Sequence, residues 1–147
     1  MNDLAHFSNL SPPLSPNKEE IEIYKTHIPV NSTVLLLGYT KELLDLADTA
    51  IDINPIPHEK VKRGNWFDIT DVYDVIIGDG VLNLAGGILV EKLLKYTRKI
   101  LIIRFFPEKL KEMKYATHFK ETLINIKEPD IVIPTNESCI LIWKTSK

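Results

Sequence analysis

The chain has 147 residues, 44% of them hydrophobic and 26% charged, which fits one domain with a single sizeable core. Its formal net charge of -2 gives no general pull toward nucleic acid or anionic membranes, and no nucleic-acid partner is evident. No apolar run approaches the roughly 18 residues that a membrane span needs and the N-terminus lacks a basic stretch followed by an apolar one, so the cytoplasm is the expected compartment. The one cysteine, Cys139, has no second thiol for an internal disulfide, and within the apolar run 139–143 it reads as a small buried hydrophobe.

Residues 1–17 carry Ser11-Pro12-Pro13 and Ser15-Pro16 with little periodicity, which predicts an extended arm. Asn17 then suits the N-cap of a helix over 18–27, with Glu19 and Glu20 in the first turn, where carboxylates complement the positive end of the helix dipole. Ile21, Tyr24 and Ile28 share one face of that helix, so Tyr24 reads as core or pocket wall. This arm and helix, residues 1–30, precede an α/β domain over 31–147.

The run Val34, Leu35, Leu36, Leu37 is unbroken rather than alternating, as expected of a strand covered on both faces in a parallel sheet. Gly38 and Tyr39-Thr40 turn the chain into a helix over 41–47. Gly38 lets a ligand approach the backbone, although a glycine used only to turn from strand to helix accounts for it equally. Neither a G-x-G-x-x-G nor a G-x-x-x-x-G-K-[ST] pattern is present. A second strand over 49–53 ends around Asp52, the position from which a carboxylate accepts two hydrogen bonds from a ribose diol in doubly wound nucleotide sites. Asp52 follows Gly38 more closely than the roughly 20 positions typical of NAD sites.

Asn54-Pro55-Ile56-Pro57 stops that strand, and His58 reads as a solvated loop residue. Residues 60–64 supply a short third strand, followed by Asn65-Trp66-Phe67, an aromatic pair that either stacks on a base or plugs the sheet edge. A fourth strand over 73–77 delivers Gly78-Asp79-Gly80. Acidic and glycine residues thus fall at the downstream ends of successive buried strands, where open α/β sheets place their ligand crevice.

The segments VLLLGYTKELLDLA, AIDIN, RGNWFDI and YDVIIGDGVLN, in this order and spacing, resemble the class I S-adenosylmethionine-dependent methyltransferases, especially small-molecule-type bacterial members with a glycine-poor first motif. The stretch SPPLSPNKEEIEIYKTHI is similar to the arm and first helix that precede the fold in that group. The resemblance implies a Rossmann-like, mostly parallel sheet with helices on both faces and a closing antiparallel β-hairpin, and S-adenosyl-L-methionine as cofactor. It further implies that Gly38, Tyr39 and Thr40 lie by the methionine portion, that Asp52 binds the ribose with Ile53 under the adenine, that Asn65 and Trp66 border the adenine, and that Asp79, followed by Gly80, lies beside the methionine end. At Asn65 the group often has an acidic residue; an amide still accepts a hydrogen bond from the adenine amino group.

Downstream, Gly86-Gly87 precede a helix over 88–97 with Leu89, Leu93, Leu94 and Tyr96 on its apolar face and a solvated basic face. A fully apolar strand over 100–105 carries Arg104 near its end, and Pro107 suits the first turn of a further helix. Residues 131–133 and 139–143, joined by Pro134-Thr-Asn-Glu-Ser138, read as the closing hairpin. The resembled group usually carries a longer insertion between Phe106 and Ile131 that helps to roof the substrate site. Its shortness here leaves the roof to the N-terminal arm, a second copy of the chain or a partner protein. The expected activity is methyl transfer to a small molecule; the alternative is a non-catalytic module of the same fold acting through a partner. No metal is required. Asp79 and Tyr24 are the available general bases, and the residues assign that role to neither.

Overall fold

A computed structural model describes residues 16–38, 40–52, 57–79, 87–105, 127–135 and 138–145. Helix α1 (Lys18–His27) opens the described chain with the predicted boundaries. It starts on a capping box: the Asn17 side chain accepts from the Glu20 amide, and the Asn17 amide donates to Glu20 Oε1, both at 2.9 Å. The strands are β1 (Val34–Leu37), β2 (Thr49–Asp52), β3 (Val61–Arg63), β4 (Tyr73–Asp79), β5 (Thr97–Phe105), β6 (Ile131–Pro134) and β7 (Cys139–Lys144), with α2 (Lys41–Leu44) after β1 and α3 (Gly87–Lys95) before β5. They form one sheet in the order β3-β2-β1-β4-β5-β7-β6. The first five strands of that order run parallel, and β7 pairs antiparallel with both β5 and β6. This is the expected mostly parallel sheet with a closing antiparallel hairpin.

The period of two along each strand sorts the core into two layers. Leu35, Leu37, Ile76, Leu101, Ile103 and Trp143 face the side covered by α3 and by the 3-10 turn Trp66–Asp68. Leu36, Val75, Ile77, Ile102, Ile140 and Ile142 face the side that receives Tyr24 of α1 and Leu43 and Leu44 of α2. All four residues of β1 are buried, as its unbroken apolar run required.

Several boundaries differ from the sequence reading. The helix after Gly38 ends at Leu44 because the chain tightens there, with Leu46 N donating to Leu43 O and Ala47 N to Leu44 O. Strand β4 continues through Gly78 to Asp79, paired with Ile103 and Arg104. Helix α3 stops at Lys95, where Thr97 Oγ1 bonds back to Leu93 O at 2.6 Å, and β5 begins at once at Thr97. Three residues there, Arg98 to Ile100, are matched against Asp74 and Val75, and the register shift lets Arg98 Nε reach Asp74 Oδ1 at 3.0 Å. The predicted helix after Pro107 lies outside the described residues.

Candidate functional site

Chain order reverses across the sheet between β1 and β4: β2 and β3 follow β1 on one side, β4 and β5 on the other. In open α/β sheets this switch point is where a crevice opens at the carboxyl ends of the strands. Leu37 and Gly78 are the last paired residues across it, so Gly38 and Asp79 stand at its lip.

Gly38 has φ +90, a left-handed conformation that side chains disfavour. A Cβ built there would lie 3.8 Å from the Asp79 carbonyl oxygen and 3.9 Å from Trp66 Cζ2, so Gly38, Asp79 and Trp66 converge on one spot. The Ile51 carbonyl ties the same corner: it accepts from the Gly38 amide at 2.9 Å and from the Trp66 indole N–H at 3.0 Å. Trp66 is wholly buried against this corner and Phe67 partly so, which gives the indole the wall-filling position of the two open for the aromatic pair. The Asn65 side chain caps the 3-10 turn, accepting from the Phe67 amide at 2.9 Å.

Thr40 stands at the N-cap of α2 with its side chain making no cap bond. Its Oγ1 is one of two buried side-chain polar atoms without a partner among the described residues, the other being Ser32 Oγ. A buried hydroxyl left without a partner is uncommon and calls for an explanation. Asp52 ends β2 half-buried, and by strand alternation lies on the same face of the sheet as Ala50, the α1 and α2 side. The expected site residues Tyr39, Ile53 and Gly80 lie outside the described residues.

Asp79 leads to a second feature. Its carboxylate receives a fork from Arg104, with Nε to Oδ1 at 2.5 Å and Nη2 to Oδ2 at 3.0 Å, and the Tyr24 hydroxyl donates to Oδ1 at 3.2 Å. Arg104 Nη1 donates to Glu20 Oε1 at 2.9 Å. The other Glu20 oxygen accepts from Ser138 Oγ and, at 3.4 Å, from Thr135 Oγ1. Arg104, Glu20 and Tyr24 are completely buried, and Asp79 and Ser138 nearly so. One network therefore joins α1, β4, β5 and the base of the closing hairpin.

Burial would raise the Glu20 carboxyl, but hydrogen bonds from Ser138 and the Asn17 amide together with the charge of Arg104 hold it below its ordinary value. Burial pushes Asp79 above its ordinary value against the opposing pull of Arg104. Burial and the Asp79 charge push the Tyr24 phenol well above its ordinary range, so Tyr24 is a hydrogen-bond donor at neutral pH. In this arrangement the two sequence candidates for a general base are engaged with each other. Arg104 and Glu20 lie 84 positions apart, so their pairing leaves no local mark in the sequence. Singly, a cation within the apolar run Ile100–Phe105 and an Asn-x-x-Glu at a helix start were the signals.

No protein-family model matches this sequence, and no curated protein matches it. Among solved structures, an RNA methyltransferase from Salinibacter ruber in complex with S-adenosyl-L-homocysteine superposes with a TM-score of 0.59 at 12% identity, covering 91% of this chain and 95% of the other. Magnesium protoporphyrin IX methyltransferase from Synechocystis PCC 6803, with bound S-adenosylmethionine, gives 0.55 at 14% identity over 97% of this chain and 90% of its own. A protein from Pyrococcus horikoshii OT3 gives 0.57 at 11% identity over 95% and 98%. The chain has the class I S-adenosylmethionine-dependent methyltransferase fold.

Proposed function

We propose that this protein binds S-adenosylmethionine at the carboxyl ends of β1 and β2 and transfers its methyl group to a small molecule. The observation that carries the reading is the corner itself, where Gly38 at φ +90 opens the backbone, Thr40 Oγ1 is buried without a partner and Asp52 closes β2. These residues fit the cofactor: the Asp52 carboxylate accepts from a ribose diol, and Thr40 Oγ1 gains a partner in a polar group of the methionine portion. Asn65 borders the base with Trp66 behind it as the buried wall of the corner, and Asp79 holds the β4 side of the methionine end. Two of the structural neighbours carry this cofactor or its demethylated product.

The cofactor supplies a methyl group already activated by a positively charged sulfur. The work of the chain is to bind, align and exclude water, since an in-line displacement gains most from holding the reacting atoms in register. The corner gives rigid walls for that task, because Trp66 and the Ile51 carbonyl lock the ends of β1 and β2 together. A roof comes from the N-terminal arm, a second copy of the chain or a partner, as the short 106–131 connection requires.

Calorimetric titration with S-adenosylmethionine, S-adenosylhomocysteine, NAD and ATP tests the reading. The two sulfur compounds bind and the two phosphate-bearing ones do not. Asp52→Ala weakens binding roughly ten- to a hundredfold, the loss of a charge-assisted contact of about 1.5–3 kcal/mol. An unchanged affinity in folded Asp52→Ala removes Asp52 from the site, and absence of binding at millimolar ligand removes the enzyme reading.

A further inference from the structure

The side chain and the backbone of Asp79 serve different places. Its carboxylate is turned into the interior, with 2% of the side chain exposed, and three donors engage it: Arg104 Nε, Arg104 Nη2 and the Tyr24 hydroxyl. Its carbonyl oxygen lies at the Gly38 corner, 3.8 Å from where a Cβ on Gly38 would stand. Of the acceptors this residue offers, the one at the proposed cofactor site is therefore the carbonyl.

That carbonyl belongs to the end of a strand. Asp79 is the last residue of β4, and the β1–β4 register stops one residue earlier, at Leu37 and Gly78. On the other side Arg104 is its register partner on β5, and the same arginine forks its carboxylate. Arg104 is fixed in turn by Glu20 Oε1, and Glu20 by the Asn17 amide and the Ser138 hydroxyl. A two-bond fork sets direction as well as distance. The backbone has only two soft dihedrals per residue, so pinning the carboxylate leaves the adjoining peptide plane little freedom.

We infer that Arg104, Tyr24 and Glu20 are positioning residues for the methionine end of the cofactor, aiming the Asp79 carbonyl at the ligand's amino group. This rests on the cofactor reading proposed above. A backbone carbonyl only accepts, and in the methionine portion the ammonium is the donor, so the two groups match and the bond between them is charge-assisted. Such a bond weakens steeply away from linear geometry, which gives the anchoring of Asp79 its effect on affinity. The bonds named here join α1, β4, β5 and the base of the hairpin, whereas Asp52, assigned to the ribose, closes β2. Loosening the network therefore acts on the amino-acid end of the ligand and leaves the adenosine end as it was.

The test is calorimetry on the full chain with two probes, S-adenosylhomocysteine and 5′-methylthioadenosine, which keeps the adenosine and the sulfur and lacks the amino-acid end. Arg104→Met removes the fork at similar side-chain length, and Tyr24→Phe removes one hydroxyl and leaves the fork. For S-adenosylhomocysteine, Arg104→Met loses about tenfold in affinity and Tyr24→Phe about threefold, while 5′-methylthioadenosine binds both variants as it binds the wild type. A role confined to stability would weaken both probes alike or neither, and either result in a folded variant overturns the inference. Tyr24→Phe decides alone if Arg104→Met does not fold. Equal affinity of the wild-type chain for the two probes also overturns it and leaves the cofactor reading standing. Failure of the wild-type chain to bind S-adenosylhomocysteine overturns both.

Discussion

Arg104 is held by Asp79 on one side and Glu20 on the other, without access to solvent. Removing it leaves two buried carboxylates facing each other without their cation, whereas removing all three charges leaves none uncompensated. Arg104→Ala is expected to lower unfolding free energy by about 3–5 kcal/mol, and the combined Arg104→Met, Glu20→Gln, Asp79→Asn variant to recover most of that loss. Urea denaturation of the three proteins checks this. If the single and triple variants are equally destabilised, shape rather than charge dominates at this position. The two glutamate oxygens explain why so small a residue change reaches so far: one serves the start of α1 and the cation, the other the base of the β6–β7 hairpin.

At the level of elements, the strand plan was legible because its signals are local. The unbroken run at Val34–Leu37 announces a strand covered on both faces, and Asn17 with Glu20 announces the start of α1. The extension of β4 to Asp79 and the early start of β5 at Thr97 were not legible, because both are set by pairing between strands far apart in sequence. In the candidate site, Gly38, Asp52 and Asp79 were readable as positions at strand ends, and Thr40 and Trp66 only through the family resemblance. The partnership of Asp79 with Arg104 was not, since cross-strand neighbours 25 positions apart leave no periodic mark. Trp66 and Trp143 are both fully buried, but only Trp66 abuts the Gly38 corner, while Trp143 donates to Lys127 O at 2.7 Å in the closing hairpin. Ligand is therefore expected to change the emission of Trp66 and leave that of Trp143 nearly constant, as single-tryptophan variants with the other indole replaced by phenylalanine will read out. A response carried by Trp143 alone would move the site away from β1.

For the whole molecule, the depressed carboxyls of Glu20 and Asp74 give the fold a defined acid limit. Glu20 owes its net lowering to donors and Arg104 working against burial, and Asp74 first to the Thr33 amide. Each group binds its proton less readily in the folded chain, so its stabilisation is complete above its ordinary value of 4.5 or 3.8 and disappears as pH falls through the lowered one. Asp79, raised by burial, slopes the opposite way above 3.8. The melting temperature should fall on acidification from about pH 5 to 3, and Glu20→Gln should flatten part of that fall. An identical slope in the variant would show that Glu20 carries none of it. The same sheet order that gathers these groups also places Gly38, Asp52 and Asp79 at the carboxyl ends of adjacent parallel strands, where the cofactor is expected to bind. The most direct measurement is a crystal structure of the chain with S-adenosylhomocysteine. The ribose diol on the Asp52 carboxylate and the methionine portion over Gly38 and Thr40 are the predicted result; ligand bound away from the carboxyl ends of β1 and β2, with Thr40 Oγ1 still lacking a partner, would contradict it.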